Sequence, residues 1–524
     1  MSRSRDTIKD IYYLTPMQEG MLFHSLLHKS NEYFEQFTLE LVGDVNVALV
    51  NQSFAKLIER YDILRTVFVW NKVKKSVQVV AKTQKTELIF EDVSQMSEDE
   101  KSRYVDRYKQ KDRDEGFDLL RGPLIRLAIL KKNSDSYIMI WSFHHILMDG
   151  WCVSILMQEF MHIYECLRTK QPIRLDTPIQ FNSYMQWLEK QDREAARQYW
   201  SRYLANYEQQ ASVPRTAGKT GRTEAKLQKH AFCLGGGMTR ELERLARQAQ
   251  VTLNTVMQTL WGLLLQKYNQ SGDVVFGTVV SGRPAEVPGI ERMIGLFINT
   301  TPVRVSSSPD QSITALLRQV QEAALTSEAH SHFPLYEIQG LSGLKQGLID
   351  HILVFENYPV AEAISQVDGT AGAAFGIRDV EVYEQTNYDL TVVLFPGEAL
   401  SIEFRYNANV YDELFNQRME GHIREIAQQM LADAQRPVAS ISVVTPEEKV
   451  QLLHGFNDTA AAYPLEATIH GLFEAQAEKT PDAVAVVYGE QQLTYAELNA
   501  RANQLAWTLR GQGVGPECIV AILM

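Results

Sequence analysis

The sequence predicts a mixed α/β protein of more than one unit, and three observations carry that expectation. Residues 137 to 143, Tyr-Ile-Met-Ile-Trp-Ser-Phe, are aromatic and β-branched over a strand's length and follow the polar turn Lys131 to Ser136. From Trp151 to Leu167 the apolar residues fall at 151, 152, 155, 156, 160, 163, 164 and 167, the three-and-four spacing of a helix with one buried face. Asp273 to Val280 reads as a further strand, running into Ser281-Gly282-Arg283-Pro284. At 524 residues the chain exceeds a single core. Its size corresponds to roughly three or four domain-like units.

The remaining elements follow in order. Residues 95 to 116 are strongly charged and read as a helix with a solvated face. The stretch from 205 to 230 is polar and rich in turn formers, so a flexible connection is expected there. Another loop is expected at 360 to 376, ending Asp-Gly-Thr-Ala-Gly-Ala-Ala-Phe-Gly. Gly511-Gln-Gly513-Val-Gly515 looks superficially like a phosphate loop, but it follows a helical pattern and precedes an expected strand, Ile519 to Leu523. That is the reverse of a dinucleotide fingerprint, so the glycines are read as a helix stop.

Composition narrows the class. Apolar content of 45% and charged content of 22% are ordinary for a soluble globular protein. A net charge of −12 argues against nonspecific nucleic-acid binding. Four cysteines, Cys152, Cys166, Cys233 and Cys518, are widely spaced with no CxxC pair, and no secretory signal precedes them. Reduced thiols and a cytoplasmic location are expected. No apolar run reaches the roughly 18 residues that a membrane helix needs.

The segment His144-His145-Ile-Leu-Met-Asp149-Gly150 joins the strand at 137–143 to the helix at 151–167. Such junctions project side chains from a rigid scaffold into a cleft, and Asp149 stands where a helix start favours negative charge. A neutral imidazole accepts a proton at physiological pH, and a carboxylate can hold a loop by pairing with an arginine. Adjacent histidines cannot both enter one pocket from a regular strand, so one should face the chemistry and the other brace the loop. The spacing lacks the His-Glu-x-x-His pattern of a metal site, and no Gly-x-Ser-x-Gly nucleophile elbow accompanies it. No metal is expected. A histidine pair satisfied in a core loop is the alternative at this level.

His-His-x-x-x-Asp-Gly resembles the signature of condensation domains of nonribosomal peptide synthetases, in the superfamily of chloramphenicol-acetyltransferase-like acyl transferases. Further segments match the family pattern in order: Leu14-Thr-Pro-Met-Gln18-Glu-Gly20-Met, Arg60-Tyr-Asp-Ile-Leu-Arg65-Thr66-Val-Phe68 and Tyr184-Met-Gln-Trp187. Then come Ile294-Gly295-Leu-Phe297-Ile-Asn299-Thr300, His332-Phe-Pro334-Leu-Tyr336-Glu337, Val354-Phe-Glu-Asn-Tyr358-Pro359 and Asn387-Tyr388-Asp389-Leu. After Val443-Val-Thr-Pro446, the residues from 467 and the run Leu493-Thr494-Tyr495-Ala-Glu497-Leu498 resemble the opening of an amino-acid adenylation domain. The sequence stops at Met524, ahead of that family's glycine-rich phosphate loop, so amino-acid activation is not expected of this truncated piece.

The resemblance implies α+β two-layer sandwiches: two chloramphenicol-acetyltransferase-like lobes in a V-shaped pseudodimer with a central tunnel, plus a small α/β fragment. The expected division is 1–178 and 179–445 for the two lobes, 446–466 for a linker and 467–524 for the adenylation fragment. The implied chemistry is peptide-bond formation between a donor aminoacyl or peptidyl thioester on an upstream carrier protein and the α-amine of an acceptor on a downstream carrier. Both substrates ride on phosphopantetheine arms, and the domain binds no cofactor of its own. By the same resemblance, His145 serves as base or amine-positioning group, His144 is structural, Asp149 braces the loop by pairing with Arg65, and Gly150 lets the backbone approach a ligand or adopt positive φ. Asn299, Tyr388, Ser281 and Arg283 are expected to line the tunnel, with Arg283 and Arg304 candidates for a phosphopantetheine phosphate. Gln18, Tyr336 and Trp187 are expected to be structural. The short leader before Leu14 implies a donor supplied in trans through a docking region, and the Thr15-Pro-Met-Gln-Glu-Gly20 wording is similar to domains that take a D-configured donor with an L-acceptor. The alternatives are a noncatalytic docking or gating module and an epimerization or acyltransferase relative using the same loop. A heterocyclization domain would carry Asp in place of His144.

Overall fold

Strand-forming runs dominate the first 445 residues, and they sort into three sheets. The computed structural model describes residues 7–28, 33–71, 73–85, 88–216, 226–356 and 375–523. Within them, 1–445 and 446–524 form separate compact units. In the first half the strands are β1 (Ile8–Tyr13), β2 (Phe34–Gly43), β3 (Thr66–Val69), β4 (Val77–Ala81), β5 (Leu88–Asp92), β6 (Ile125–Lys131) and β7 (Ser136–His144). The second half adds β8 (Leu227–Cys233), β9 (Asp273–Val280), β10 (Asn299–Ser306), β11 (Ile352–Phe355), β12 (Phe375–Tyr383), β13 (Leu390–Phe395) and β14 (Ser401–Asn407).

The sheet orders are β1-β4-β3, β12-β2-β7-β6-β5 and β10-β9-β11-β13-β14-β8. Strand β7 is buried along nearly its whole length because it lies inside its sheet under the helix Gly150–Arg168. That helix buries Cys152, Leu156, Phe160, Ile163 and Tyr164, and it packs with helix Val47–Arg60. The partner helix starts where the Asn46 side chain accepts from Ala48 and Leu49 N–H, and it buries Val50, Phe54, Leu57 and Ile58 at helical spacing.

The two halves interlock. Strand β12 leaves the second half to pair antiparallel with β2, from Phe375↔Gly43 to Tyr383↔Gln36. Buried residues between Val287 and Phe297, with Phe181, Tyr184 and Met185, join the core of the first half. A line drawn at 178/179 therefore separates most of the two larger sheets but not their packing.

Three expectations need correction. The charged segment forms the helix Glu98–Glu115, yet it buries Lys101, Lys109 and Asp112. Asp112 accepts from Gln36 and Ser142 and pairs with Arg126, because this face lies against β2 and β6 rather than water. Of the expected loops, residues 217–225 and 357–374 lie outside the described residues; Leu227 onward is strand β8, and Phe375 and Gly376 open β12. Ile519 to Leu523 forms no strand, and Ile519, Ile522 and Leu523 are exposed. A strand needs a neighbour to satisfy its backbone, and none is paired with it among the described residues.

The unit at 446–524 contains the helix Ile469–Lys479, the hairpin Val484–Tyr488/Gln491–Thr494 and the helix Tyr495–Gly511. Thr494 and Glu497 form a reciprocal cap at the last helix. That helix ends at Gly511, and Gly513 takes φ +88°. Among the described residues no helix is long and apolar enough to cross a membrane.

Candidate active site

The loop after β7 is held open by its own backbone. His145 N–H donates to Tyr33 O at 2.8 Å, continuing the pairing of β2 with β7 by one residue, and Leu147 N–H and Met148 N–H return to His144 O and His145 O. The two imidazoles then part. His144 is buried, and its Nδ1 accepts from Ile146 N–H at 3.1 Å. Burial, with His145 beside it, pushes its pKa down to about 3, so it is a neutral acceptor bracing the loop. His145 lies on the wall of a cavity of about 1360 Å³. Its Nδ1 stands 2.8 Å from Met148 O, a group that only accepts, so Nδ1 carries the hydrogen. Nε2 makes no hydrogen bond among the described residues.

Asp149 is 1% exposed and ends the loop. The expected partner, Arg65, is elsewhere: its guanidinium bonds Asp62, Ala81 O, Ile58 O and Glu59 O, clamping the end of helix Val47–Arg60 to β4. Asp62 sits three residues away in the same turn and takes the charge first. Asp149 is met instead by Arg283, whose Nη2 donates to Oδ1 at 3.2 Å. Phe297 N–H donates to Oδ2 at 3.1 Å, and the Cys152 thiol lies 3.3 Å from Oδ1. Burial and then Asp149 push that thiol up to about 12, so it remains a donor. Arg283 also donates to Ile290 O and Met293 O and lies 4.1 Å over the Phe297 ring. Both terminal nitrogens of Arg283 are thus engaged by protein. Arg304 is held by Asp273, Tyr203 O and Ala205 O through all of its guanidinium nitrogens.

The other expected residues fall into place around two cavities. Gly150 is the first residue of its helix and lines the His145 cavity; it is not among the positive-φ glycines, since helical φ is negative. Tyr388 lines the same cavity, and burial pushes its hydroxyl up to about 12. Ser281 and Arg283 line a second cavity of about 1020 Å³. The two adjoin, sharing Pro16, Met17, Val279, Ile298 and Asn299. Asn299 uses both amide hydrogens on Ser331 O and Phe333 O, which fixes that turn. Gln18 ties Ile146 O to the Thr15 turn and Gln78. Trp187 stacks on Tyr184, whereas Tyr336 is 52% exposed and lines the first cavity rather than supporting the core.

No motif in the sequence marks an acidic group beside the histidine. Glu35 on β2, Glu384 just after β12 and His145 place one ligand atom each within 4.8 Å of one another. Glu356, Glu403, Arg405 and Lys229 share the same cavity wall. Arg405 bonds both Glu384 and Glu403. Against its burial, Arg405 and then His145 hold Glu384 below the usual carboxylate range. Glu356 is pushed up to about 7 by burial and then Glu384, and Glu35 is raised well above the usual range for the same two reasons.

The family model for the condensation domain matches residues 8–453. The chain belongs to the condensation-domain family. The model for AMP-binding enzymes matches residues 473–524 that follow this condensation domain. The chain is 44% identical to gramicidin S synthase 2 of Brevibacillus brevis over 521 residues, which is 99% of this chain and 12% of that protein. Tyrocidine synthase 2 of Brevibacillus parabrevis is also 44% identical, over 99% of this chain and 14% of its own length. The chain thus spans a small fraction of these relatives. Among solved structures, a holo four-domain nonribosomal peptide synthetase bound to AMP and glycine aligns over 97% of this chain and 39% of its own, with TM-score 0.77 and 17% identity. The first condensation domain of the CDA synthetase aligns over 83% of this chain and 99% of its own, with TM-score 0.64 and 18% identity. At such identities the likeness speaks to the fold.

Proposed function

We propose that this condensation domain joins two carrier-bound substrates by amide formation. The α-amine of an acceptor aminoacyl thioester attacks the thioester carbonyl of an upstream donor. A C–N bond forms and a C–S bond breaks. The amine proton passes to His145 Nε2 and then to the departing thiol, so the imidazole returns to its starting state. The carrying observation is His145 on the wall of a large cavity, with Nδ1–H fixed by Met148 O and Nε2 unbonded among the described residues. An α-amino group has a pKa near about 8, so roughly a tenth of it is already neutral near pH 7 and the ring's work is shared between accepting a proton and orienting the amine. Asp149 and Arg283 hold the loop and do not touch the reacting atoms. The two adjoining cavities suit two phosphopantetheine arms, one from each carrier. A donor of D configuration, which the wording around Thr15 to Gly20 supports, and supply of that donor in trans are the finer parts of this reading.

The test is to load two cognate carrier proteins with aminoacyl-phosphopantetheine, the donor in L or D form, and to follow dipeptidyl thioester by mass spectrometry. Product is expected with the unaltered chain, faster from the D-donor. General-base help is worth about 10² to 10⁴ in rate, so a His145→Ala loss under about tenfold would exclude that role. No product from either verified donor would favour a docking or gating module.

A further inference from the structure

We infer that Glu35, with Glu384 beside it, seats the ammonium group of the acceptor and positions the attacking amine; this rests on the amide-forming reading above. Strand β2 runs between β12 and β7, with Gln36 opposite Tyr383 and Glu35 opposite Phe143. Glu384 follows Tyr383 and His145 follows His144, so the pairing gathers all three groups at one end of the sheet.

Their spacing fits a primary ammonium. Hydrogen-bond acceptors at about 2.8 Å from a tetrahedral nitrogen lie about 4.6 Å apart. The ligand atoms of Glu35, Glu384 and His145 fall within 4.8 Å of one another. With Nδ1 engaged by Met148 O, Nε2 is the ring nitrogen left for a guest. One ammonium proton passes to Glu35, and the neutral amine that remains, held between Glu384 and Nε2, turns its lone pair on the thioester while its next proton passes through Nε2 to the departing thiol.

A second observation points independently to a guest. Glu35 is only 5% exposed, lines the cavity, and its Oε1 has no hydrogen-bond partner among the described residues. A buried carboxyl oxygen without a partner is costly, and the cost is relieved by a ligand that donates to it. The charge count agrees. Of the acids lining the cavity, Glu35, Glu356, Glu384 and Glu403 share Arg405 and Lys229, since the third lining cation, Arg215, is taken by Asp350 and Asp389. Arg405 serves Glu384 and Glu403, and Lys229 stands 3.5 Å from Glu403. No ion pair reaches Glu35 or Glu356 among the described residues. Burial and then Glu384 raise the Glu35 carboxyl above the usual carboxylate range, and an arriving ammonium works against that rise. The remaining wall beside Glu35 is apolar, from Phe37, Phe143, Val380 and Val382, which weakens competition from water.

Binding separates this inference from turnover. Stable pantetheine amides of L-alanine, L-lactic acid and 5-aminovaleric acid would be titrated into the full chain by calorimetry. They present an α-ammonium, an α-hydroxyl and a distant ammonium on the same arm. We expect the alanyl probe to bind the unaltered chain at least about tenfold more tightly than the lactyl probe, and Glu35→Gln to erase that preference while lactyl binding holds. Glu35→Asp should retain part of it. In the carrier assay, Glu35→Gln should raise the KM for the acceptor carrier and leave that for the donor carrier unchanged. Equal binding of alanyl and lactyl probes, an undiminished preference in Glu35→Gln, or tighter binding of the aminovaleryl probe would overturn the inference. A chain that binds with the expected preference but forms no dipeptide would overturn the amide-forming reading while the ammonium seat stands.

Discussion

Two buried clusters of acid and arginine sit in this condensation domain, and they are built on opposite plans. Behind the loop, Asp149 meets Arg283, Phe297 N–H and the Cys152 thiol, with no carboxylate oxygen left over. On the cavity wall, Arg405 is shared between Glu384 and Glu403 while Glu35 keeps an oxygen without a partner. The first cluster is closed and rigid. The second is incomplete until something cationic enters. His144 and His145 repeat the contrast at neighbouring positions, one ring buried as a brace and the other with a nitrogen open to the cavity. Completeness marks the groups that hold the fold, and deficit marks those that wait for a substrate.

Breaking the closed cluster should have the largest effect. Asp149→Ala leaves Arg283 buried without its counter-charge, at a cost of about 3 to 5 kcal/mol. Urea unfolding should show that loss along with low soluble yield, and a variant of normal stability would break the comparison. The double change Asp149→Leu with Arg283→Met should recover much of it, since neither charge is then stranded. Opening the other side, His145→Ala should leave the urea midpoint nearly unchanged while dipeptide formation falls by about 10² to 10⁴.

A smaller effect is expected from pH. Burial and His145 lower the folded pKa of His144 from 6.5 to about 3. Between those values only the unfolded chain takes up the proton. His144 thus contributes stability that is fully present above pH 6.5 and is lost as pH falls toward 3, at up to about 1.4 kcal/mol per pH unit. His144→Asn, which keeps an acceptor for Ile146 N–H without titrating, should flatten the stability difference between pH 7 and pH 5. An unchanged slope would show that His144 is not the neutral brace. The mildest probe is alkylation of the native chain by iodoacetamide. Cys233 and Cys518 are exposed and should react, whereas Cys152 and Cys166 are buried and should be protected, Cys152 further by its raised pKa. Rapid labelling of Cys152 would mean that the closed cluster opens.

What the sequence made legible was local. The strand read at 137–143 is observed at Ser136–His144 and the helix read at 151–167 at Gly150–Arg168, because both depend on periodicity within one element. The opposite orientations of the two histidines follow from strand alternation. The partner of Asp149 was not legible, since Arg283 lies 134 residues away and sits in a turn whose sequence says nothing of its destination. Arg65 was the arginine that the family pattern suggested, and its nearer acid Asp62 claims it. Glu35 and Glu384 each stand alone in strand-like sequence, and only the crossing of β12 onto β2 brings them to His145. The expected strand at 519–523 had the right residues but no neighbouring strand to pair with.

The most direct measurement is a single-turnover comparison of the unaltered chain and His145→Ala on verified, loaded carrier proteins, with the urea midpoint of each preparation recorded alongside. The account predicts equal midpoints and dipeptidyl thioester formation slower by at least about a hundredfold in the variant. Equal rates, or a rate loss matched by a collapse in stability, would contradict it.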